Sequence, residues 1–190
     1  MLSCRMTIYY VRHGESTGNV LQGFFGLVDS TLTANGVKQA LALGNQIRDI
    51  HIDIVFSSPQ IRARQTAEIA MSARPHAKRP LIITDSRLVE HDNGEIEGML
   101  FESERVAKVR DFYGERKLFD YSTAESFQSI EKRIKSFFDE IKETYHGKTI
   151  LVFAHGGIGR IAHAYFHGMP KSGLYCDSPD MKNCELIKFD

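Results

Sequence analysis

The stretch TIYYVRHG at residues 7–14 decides the fold that the rest of the chain continues. Its first five residues are β-branched or aromatic, the pattern of a strand buried on both faces in a largely parallel sheet. The stretch TILVFAHGG at residues 149–157 repeats these features. Each apolar run leads directly into a His-Gly pair, at His13 and at His155. We therefore expect both histidines at the carboxyl edge of one sheet, where α/β proteins bind ligands.

Strand-like and helix-like segments alternate along the chain. Thr33 is a suitable N-cap for a helix whose apolar residues recur at helical spacing. The alternation predicts an α/β fold, a three-layer α/β/α sandwich with a mostly parallel central sheet and right-handed crossovers. The apolar positions of this first helix are Val37, Ala40, Leu41, Gly44 and Ile47. Further helices are predicted from about residue 60, over residues 126–145 and over residues 158–167. Further strands are predicted over residues 53–56, 81–84, 149–154 and 184–189.

Residues 90–122 interrupt the alternation. Gly94, Gly98 and Gly114 break any period there, which indicates a short inserted lid of loop and helix. The whole chain, residues 1–190, has the length of one domain that buries about two-thirds of its unfolded surface. We expect a single α/β domain whose lid covers the edge that carries the two histidines.

The charge balance restricts the partners. Lys plus Arg and Asp plus Glu each total 24, so the net charge is zero and no long-range field attracts nucleic acid or anionic lipid. No apolar run reaches the roughly 18 residues of a membrane span, and no signal peptide is evident. Cys4, Cys176 and Cys184 have neither disulfide nor zinc spacing. We expect a cytoplasmic protein without nucleic-acid or membrane partners; the pattern leaves its oligomeric state open.

The residues around His13 suit the transfer of a phosphoryl group. Such a group carries negative charge on three equatorial oxygens, and planar guanidinium groups bind these oxygens in pairs. Arg12 adjoins His13, and Arg62 lies one turn into the helix after the second predicted strand. No metal-ligand set is evident and no cofactor is expected, so a covalent step through a neutral imidazole is the economical route. His13 is the predicted nucleophile, and the two arginines favour its neutral form.

The leaving alcohol needs a proton donor. A carboxylic acid can supply the proton when burial or nearby negative charge, such as bound phosphate, keeps it protonated. Glu90, shortly after the third predicted strand, is our choice. The pattern alone leaves neighbouring residues open as alternatives: His91, Asp92, Glu95 and Glu97.

Four ordered blocks of sequence resemble the histidine phosphatase superfamily, also called the phosphoglycerate-mutase-like family. They are VRHGESTGN at residues 11–19, SSP at residues 57–59 followed by Arg62, residues 88–98 with Glu90, and AHGG at residues 154–157. One block alone would be a weak signal, whereas four in order are a strong one.

The resemblance implies a role for each matched residue. His13 would accept the phosphoryl group, and Glu90 would act first as acid and then as base. The groups implied to hold phosphate are Arg12, Arg62, His155, Asn19 and the backbone N–H of Gly156.

The implied function is that of a metal-independent phosphomonoesterase acting through phosphohistidine on a small phosphorylated metabolite. Two alternatives stay open: a phosphoglycerate-type mutase, and a catalytically inactive protein that binds phosphorylated ligands. The family's mutases usually have a longer insertion with basic residues for a second phosphate, whereas this insertion is short. It does contain basic residues, for which a solvated helix face is the competing interpretation: Arg105, Lys108, Arg110, Arg116 and Lys117.

Overall fold

The computed structural model of the chain describes residues 6–75, 79–113 and 123–189, without the side chains of residues 109–113. Cys4 and part of the predicted lid, residues 114–122, lie outside the described residues. Within these ranges five strands form one sheet in the order β3-β2-β4-β1-β5. The strands are β1 (Thr7–Arg12), β2 (Ile54–Ser57), β3 (Ile82–Thr84), β4 (Thr149–Ala154) and β5 (Leu186–Phe189).

The pairing of strands brings the two predicted histidines together. β1 and β2 both pair in parallel with β4, and β3 pairs in parallel with β2, while β5 runs antiparallel to β1. In the β1–β4 register Arg12 is opposite Ala154, and the His13 N–H donates to the Ala154 carbonyl at 3.0 Å. The next residues, His13 and His155, therefore lie beside each other at the carboxyl edge of the sheet. The mostly parallel sheet is confirmed.

Helices cover both faces of the sheet. One buried cluster joins the sheet to α5 and α6, and another joins it to α2 and α3, so the three-layer sandwich is confirmed. The helices are α1 (Thr17–Leu21), α2 (Ala34–Gln46), α3 (Ile61–Ser72), α4 (Glu104–Tyr113), α5 (Phe127–Thr144) and α6 (Gly156–His167), and short 3₁₀ helices occupy Ser86–Leu88, Gly94–Ile96 and Tyr175–Asp177.

Alternation along β4 explains how one strand serves both layers. Successive side chains of a strand point to opposite faces, and Ile150 and Val152 belong to the cluster with α5 and α6. Leu151 and Phe153 belong to the cluster with α2 and α3. Each fully buried apolar side chain stabilises the fold by about 1.5–3 kcal/mol. The strand is thus fixed from both sides, which makes its carboxyl end a rigid support.

Some sequence-based boundaries were wrong. α1 was not predicted, because it is too short to give a periodic signal. α6 begins at Gly156 rather than at residue 158, because a carboxylate described below accepts its first N–H groups. Leu41 was assigned to the apolar face of α2 but is 43% exposed, whereas Leu43 is buried.

The lid has a small core of its own. Phe24, Ile96 and Val106 form a third buried cluster. The Phe24 N–H donates to the Met99 carbonyl at 2.8 Å. The segment after α1 therefore packs with the predicted lid. Within the described part of the chain, no helix is both long enough and apolar enough to cross a membrane.

Candidate active site

His13 follows β1 and is 4% exposed. Its Nδ1 lies 2.7 Å from the Gly14 carbonyl oxygen. A carbonyl oxygen only accepts hydrogen bonds, so Nδ1 carries the proton and the lone pair resides on Nε2. The ring centroid lies 5.2 Å from that of His155. The imidazole is thus held in the tautomer that leaves Nε2 nucleophilic.

The surroundings keep His13 uncharged. Burial and the Arg62 guanidinium, with a smaller contribution from Arg12, lower the pKa of His13 from 6.5 to about 3, although the Gly14 hydrogen bond opposes the shift. Burial and Arg62 likewise lower the pKa of His155 well below its ordinary value. Both rings are neutral at neutral pH, as the sequence argument expected for a histidine nucleophile.

His155 is held by Tyr10 on β1 and by Ser58, which follows β2. The Tyr10 hydroxyl donates to the His155 carbonyl at 2.7 Å and accepts its N–H at 3.2 Å. The His155 Nε2 lies 2.8 Å from the hydroxyl oxygen of Ser58, which follows β2. Its Nδ1 is buried and has no hydrogen-bond partner among the described residues. The ring therefore has one nitrogen left for a ligand.

Arg12 lies across the first residue of α6. One terminal nitrogen donates to the Met181 carbonyl at 2.7 Å, and the buried Nε has no acceptor within the described residues. A Cβ at Gly156 would lie 3.2 Å from that Nε, which is closer than an ordinary van der Waals contact. Glycine at this position therefore allows the guanidinium to pack against the backbone, with an unused N–H donor beside it.

Arg62 is almost fully buried at the start of α3. Its two terminal nitrogens donate to the carbonyl oxygens of Phe25 at 3.0 Å, Gly26 at 2.8 Å and Val28 at 3.3 Å. The sequence argument placed the whole fork on phosphate, whereas these bonds use three of the five N–H donors of a guanidinium. Arg62 thus also fixes the loop that leads into the lid.

The side-chain amide of Asn19 has a fixed orientation. Its Oδ1 accepts the Ser16 N–H at 3.0 Å, and since a backbone N–H can only donate, the orientation of the amide is fixed. The Asn183 Nδ2 lies 3.4 Å from the same Oδ1 and donates to the His13 carbonyl at 2.8 Å. Asn183 therefore connects the C-terminal segment to the predicted nucleophile.

Glu90 lies at the amino end of α6. Its carboxylate accepts the N–H groups of Gly157 at 3.0 Å, Ile158 at 3.2 Å and His91 at 3.0 Å. These bonds satisfy two donors that a helix start leaves without intrahelical partners. A Cβ at Gly157 would lie 2.7 Å from the Glu90 Oε1, so glycine is required for this approach.

The guanidinium of Arg133 fixes the backbone around Glu90 from α5. It donates to the carbonyls of Arg87 at 2.6 Å and Val89 at 2.7 Å, and reaches that of Glu90 at 3.4 Å. It also makes a two-pronged ion pair with Glu125, with both N–O distances 2.9 Å. Because the planar guanidinium binds these carbonyls and the Glu125 carboxylate at the same time, the backbone of residues 87–90 has little freedom to move.

Most of the predicted site residues line a common pocket of about 330 Å³, whereas His155 is fully buried and is not among the lining residues. Of the five candidates for the acid, Glu90 and His91 line it. The others have different contacts: Asp92 accepts the Gly94 N–H, Glu97 accepts those of Val28 and Asn93, and Glu95 pairs with Arg105. The predicted residues that line the pocket are Arg12, His13, Asn19, Arg62, Glu90 and Gly156, and aromatic rings form much of the remaining wall: Phe24, Phe25, Phe101, Phe127 and Tyr175.

Comparison with known proteins decides the family. The profile of the histidine phosphatase superfamily (branch 1) matches residues 8–190. The chain belongs to the histidine phosphatase superfamily. It is 34% identical over 183 residues, 94% of this chain and 77% of the relative, to a Hydrogenobacter thermophilus protein named phosphoserine phosphatase 1. It is 32% identical over 146 residues, 77% of this chain and 69% of the relative, to a Bacillus subtilis protein named uncharacterized phosphatase PhoE.

Solved structures agree with this family assignment. Bacillus stearothermophilus YhfR superposes on this histidine phosphatase with a TM-score of 0.84 at 26% sequence identity, covering 96% of this chain and 90% of that chain. The fold predicted from the alternating pattern is therefore that of known family members.

Several residues that build the site of this histidine phosphatase escaped the sequence argument. Tyr10 appeared only as part of a buried strand, and Asn183 lies 170 positions from the residue it contacts. Ser58 belongs to a matched block but was given no role, and Glu125 was likewise given none. Arg133 had no signal beyond its place on a helix, because its partners come from another part of the chain.

The basic residues of the predicted lid do not form a second anion site in the described part of the chain. Arg105 pairs with Glu95, and Lys108 pairs with Glu104 at 2.7 Å; neither basic side chain lines the pocket. The side chain of Arg110, together with Arg116 and Lys117, lies outside the described residues. Across residues 6–75, 79–113 and 123–189, no cluster of three or more His, Cys, Asp or Glu side chains could hold a metal ion.

Proposed function

We propose that this histidine phosphatase is a metal-independent phosphomonoesterase that acts through phosphohistidine at His13 on a small phosphorylated metabolite. The observation that carries the proposal is the state of His13: its Nδ1 proton is held by the Gly14 carbonyl at 2.7 Å. The ring lines a pocket that also contains Arg12, Arg62 and Glu90. A neutral imidazole beside two cations and a carboxyl group has the composition of a phosphoryl-transfer site.

In the first half-reaction the Nε2 of His13 attacks phosphorus. The new N–P bond forms as the P–O bond to the alcohol breaks, and Glu90, which enters this step as the protonated carboxylic acid, gives its proton to the leaving oxygen. The positive charge on the ring is balanced by the phosphoryl group that it now carries. The groups proposed to hold the phosphoryl oxygens are Arg12, the two unused N–H donors of Arg62, the Asn19 amide, His155 and the Gly156 N–H.

In the second half-reaction a water molecule attacks the phosphohistidine. Glu90, now a carboxylate, takes a proton from that water as the O–P bond forms. The N–P bond breaks, its electron pair returns to the Nε2 of His13, and inorganic phosphate leaves. Because Arg133 fixes the backbone at Glu90, the same carboxyl group can serve both steps from one position.

A phosphatase is favoured over a mutase by the charges around the pocket. A mutase must hold a second phosphate on its substrate, which calls for free cations some distance from His13. Beyond Arg12 and Arg62, the described cation on the wall is Arg160, and Asp180 pairs with it at 3.1 Å. Two relatives named as phosphatases support the same choice.

The proposed function is tested by hydrolysis of p-nitrophenyl phosphate in EDTA. We expect turnover in the wild type and in the exposed-site control His51→Ala, and a loss of about 10³-fold or more in His13→Ala, as when a covalent nucleophile is removed. Equal turnover in wild type and His13→Ala would exclude His13 as the nucleophile. Tight binding of inorganic phosphate without any turnover would instead indicate a binding protein.

A further inference from the structure

We propose that Arg160 and Asp180 form a second polar subsite in the pocket, which binds the carboxylate and the ammonium group of the substrate. The substrate class would then be O-phosphorylated amino acids. The inference rests on the proposed phosphomonoesterase function and adds the identity of the leaving group to it.

The position of Arg160 matches the size of such a leaving group. Arg160 lies on α6 four residues after Gly156, so the two residues share a helix face about 6 Å apart along the axis. Both line the pocket. In an O-phosphorylated amino acid the carboxylate and the ammonium group lie only a few bonds from phosphorus. A substrate held at Gly156 by its phosphate therefore brings both groups to Arg160.

Arg160 has an unused donor at this place. One terminal nitrogen donates to the Asp180 Oδ1 at 3.1 Å, but the buried Nε has no acceptor among the described residues. A buried N–H without an acceptor is unfavourable, and a carboxylate oxygen would satisfy it. Arg12, whose Nε is likewise buried and unpaired, is proposed above to bind phosphate. One pocket thus contains two buried N–H donors that lack an acceptor among the described residues: that of Arg12 at the phosphate end of the proposed substrate, and that of Arg160 at the carboxylate end.

Asp180 supplies the complementary charge. Its Oδ1 contacts Arg160, its side chain is 69% exposed, and its Oδ2 has no hydrogen bond to a described residue. An ammonium group beside Asp180 would gain an acceptor and an opposite charge.

The pairing of charges selects against other leaving groups. A second phosphate at Arg160 would meet the negative charge of Asp180 next to it, and a lone amine would meet the positive charge of Arg160. A zwitterion places an opposite charge on each. The described aromatic residues of the neighbouring wall, Phe101, Phe127 and Tyr175, are uncharged, so they leave this selection unchanged.

The test compares kcat/KM for three esters with p-nitrophenyl phosphate as reference. The esters are O-phosphoserine, 3-phosphoglycerate, which lacks the ammonium group, and O-phosphoethanolamine, which lacks the carboxylate. We expect the wild type to favour O-phosphoserine over the other two by about tenfold or more, because a missing polar group leaves its partner unpaired.

Variants assign the selectivity to the two residues. Arg160→Gln and Asp180→Asn should each lower kcat/KM for O-phosphoserine relative to p-nitrophenyl phosphate by about tenfold, mainly through KM. Arg64→Gln, which removes an exposed arginine from a pair with Glu68 on α3, should keep the wild-type ratio. Equal kcat/KM for the three esters, or an unchanged ratio in both pocket variants, would overturn the subsite while p-nitrophenyl phosphate turnover upholds the phosphatase. Absence of that turnover in the wild type would overturn the function and the subsite together.

Discussion

At the scale of single residues, the site depends on groups that their neighbours hold in place. The Gly14 carbonyl holds the Nδ1 proton of His13, and burial with two arginines keeps the ring neutral. Glu90 is fixed by three N–H donors, two of them from the start of α6. We infer that His13 is held in its nucleophilic form and that the Glu90 carboxyl group is held in position before substrate arrives, which reduces the reorganisation needed during reaction.

The pH dependence of activity should reflect the lowered pKa of His13. Because that pKa is about 3 rather than 6.5, the nucleophile stays unprotonated as the pH falls from 7 to 5. At constant ionic strength, we expect kcat/KM for p-nitrophenyl phosphate to show no decrease centred near pH 6.5. A single-proton fall with that midpoint would show that the ring titrates like an exposed histidine.

The role of Glu90 should depend on the leaving group. p-Nitrophenolate leaves as a stable anion, whereas an alkoxide needs a proton from the acid. Glu90→Gln should therefore lower kcat for an alkyl phosphate such as β-glycerophosphate by about 10²-fold or more and lower kcat for p-nitrophenyl phosphate by much less. Equal losses on the two esters would argue that Glu90 does not donate the proton.

At the scale of elements, α5 supports the site although it supplies no predicted catalytic group. Its Arg133 ties the carbonyls of the 87–90 segment to Glu125. His91 adds a contact of 2.7 Å to the Glu125 carbonyl oxygen. The helix thereby transmits its rigid packing on the sheet to the loop that carries Glu90, and Arg133 acts as a positioning residue.

Replacement of Arg133 should lower kcat more than it changes KM. Arg133→Ala removes the guanidinium donors to the carbonyls of the 87–90 segment, and Arg133→Lys keeps the charge but loses the planar fork. We expect kcat losses of about tenfold or more in the Ala variant and a partial loss in the Lys variant, with the exposed neighbour Lys132→Ala as control. Larger losses on alkyl phosphates than on p-nitrophenyl phosphate would locate the defect at Glu90. A change confined to KM would contradict the positioning role.

At the scale of the whole molecule, one sheet carries both the hydrophobic layers and the site. We propose that the chain forms a single domain, since strands from its beginning, middle and end share that sheet. The same packing buries His13 and His155 in uncharged form. Stability and catalysis are therefore coupled through the protonation of these two rings.

Acid should destabilise the fold through these histidines. The folded pKa of His13 is about 3 and its ordinary value is 6.5, so the unfolded chain takes up the proton first. Its contribution to stability is present above pH 6.5 and is lost as the pH falls toward 3, by about 1.4 kcal/mol per pH unit; His155 acts in the same direction. Urea denaturation followed by circular dichroism from pH 7 to pH 5 should show this slope, and a smaller slope in His13→Gln. Identical slopes in the two proteins would contradict the buried neutral state.

The sequence predicts the sheet edge well because apolar runs and glycines are local signals. Residues 149–154 match β4 at both ends, and Thr33 caps α2 through its side chain, as expected. Contacts between distant segments leave no such signal: Asn183 meets His13, and Tyr10 meets His155 across 145 positions. Family blocks select Glu90 from its neighbours, but the support from Arg133 depends on how α5 docks.

The most direct test of the central claim is to trap the phosphorylated enzyme. Wild type, His13→Ala and His51→Ala would be mixed with ³²P-labelled substrate, quenched in alkali within milliseconds, and digested for peptide mapping. Phosphohistidine is stable in alkali and labile in acid, so the account predicts alkali-stable label on the peptide that contains His13 in the wild type and in His51→Ala, and none in His13→Ala. Label on another residue, label that persists in His13→Ala, or turnover without any labelled intermediate would contradict it.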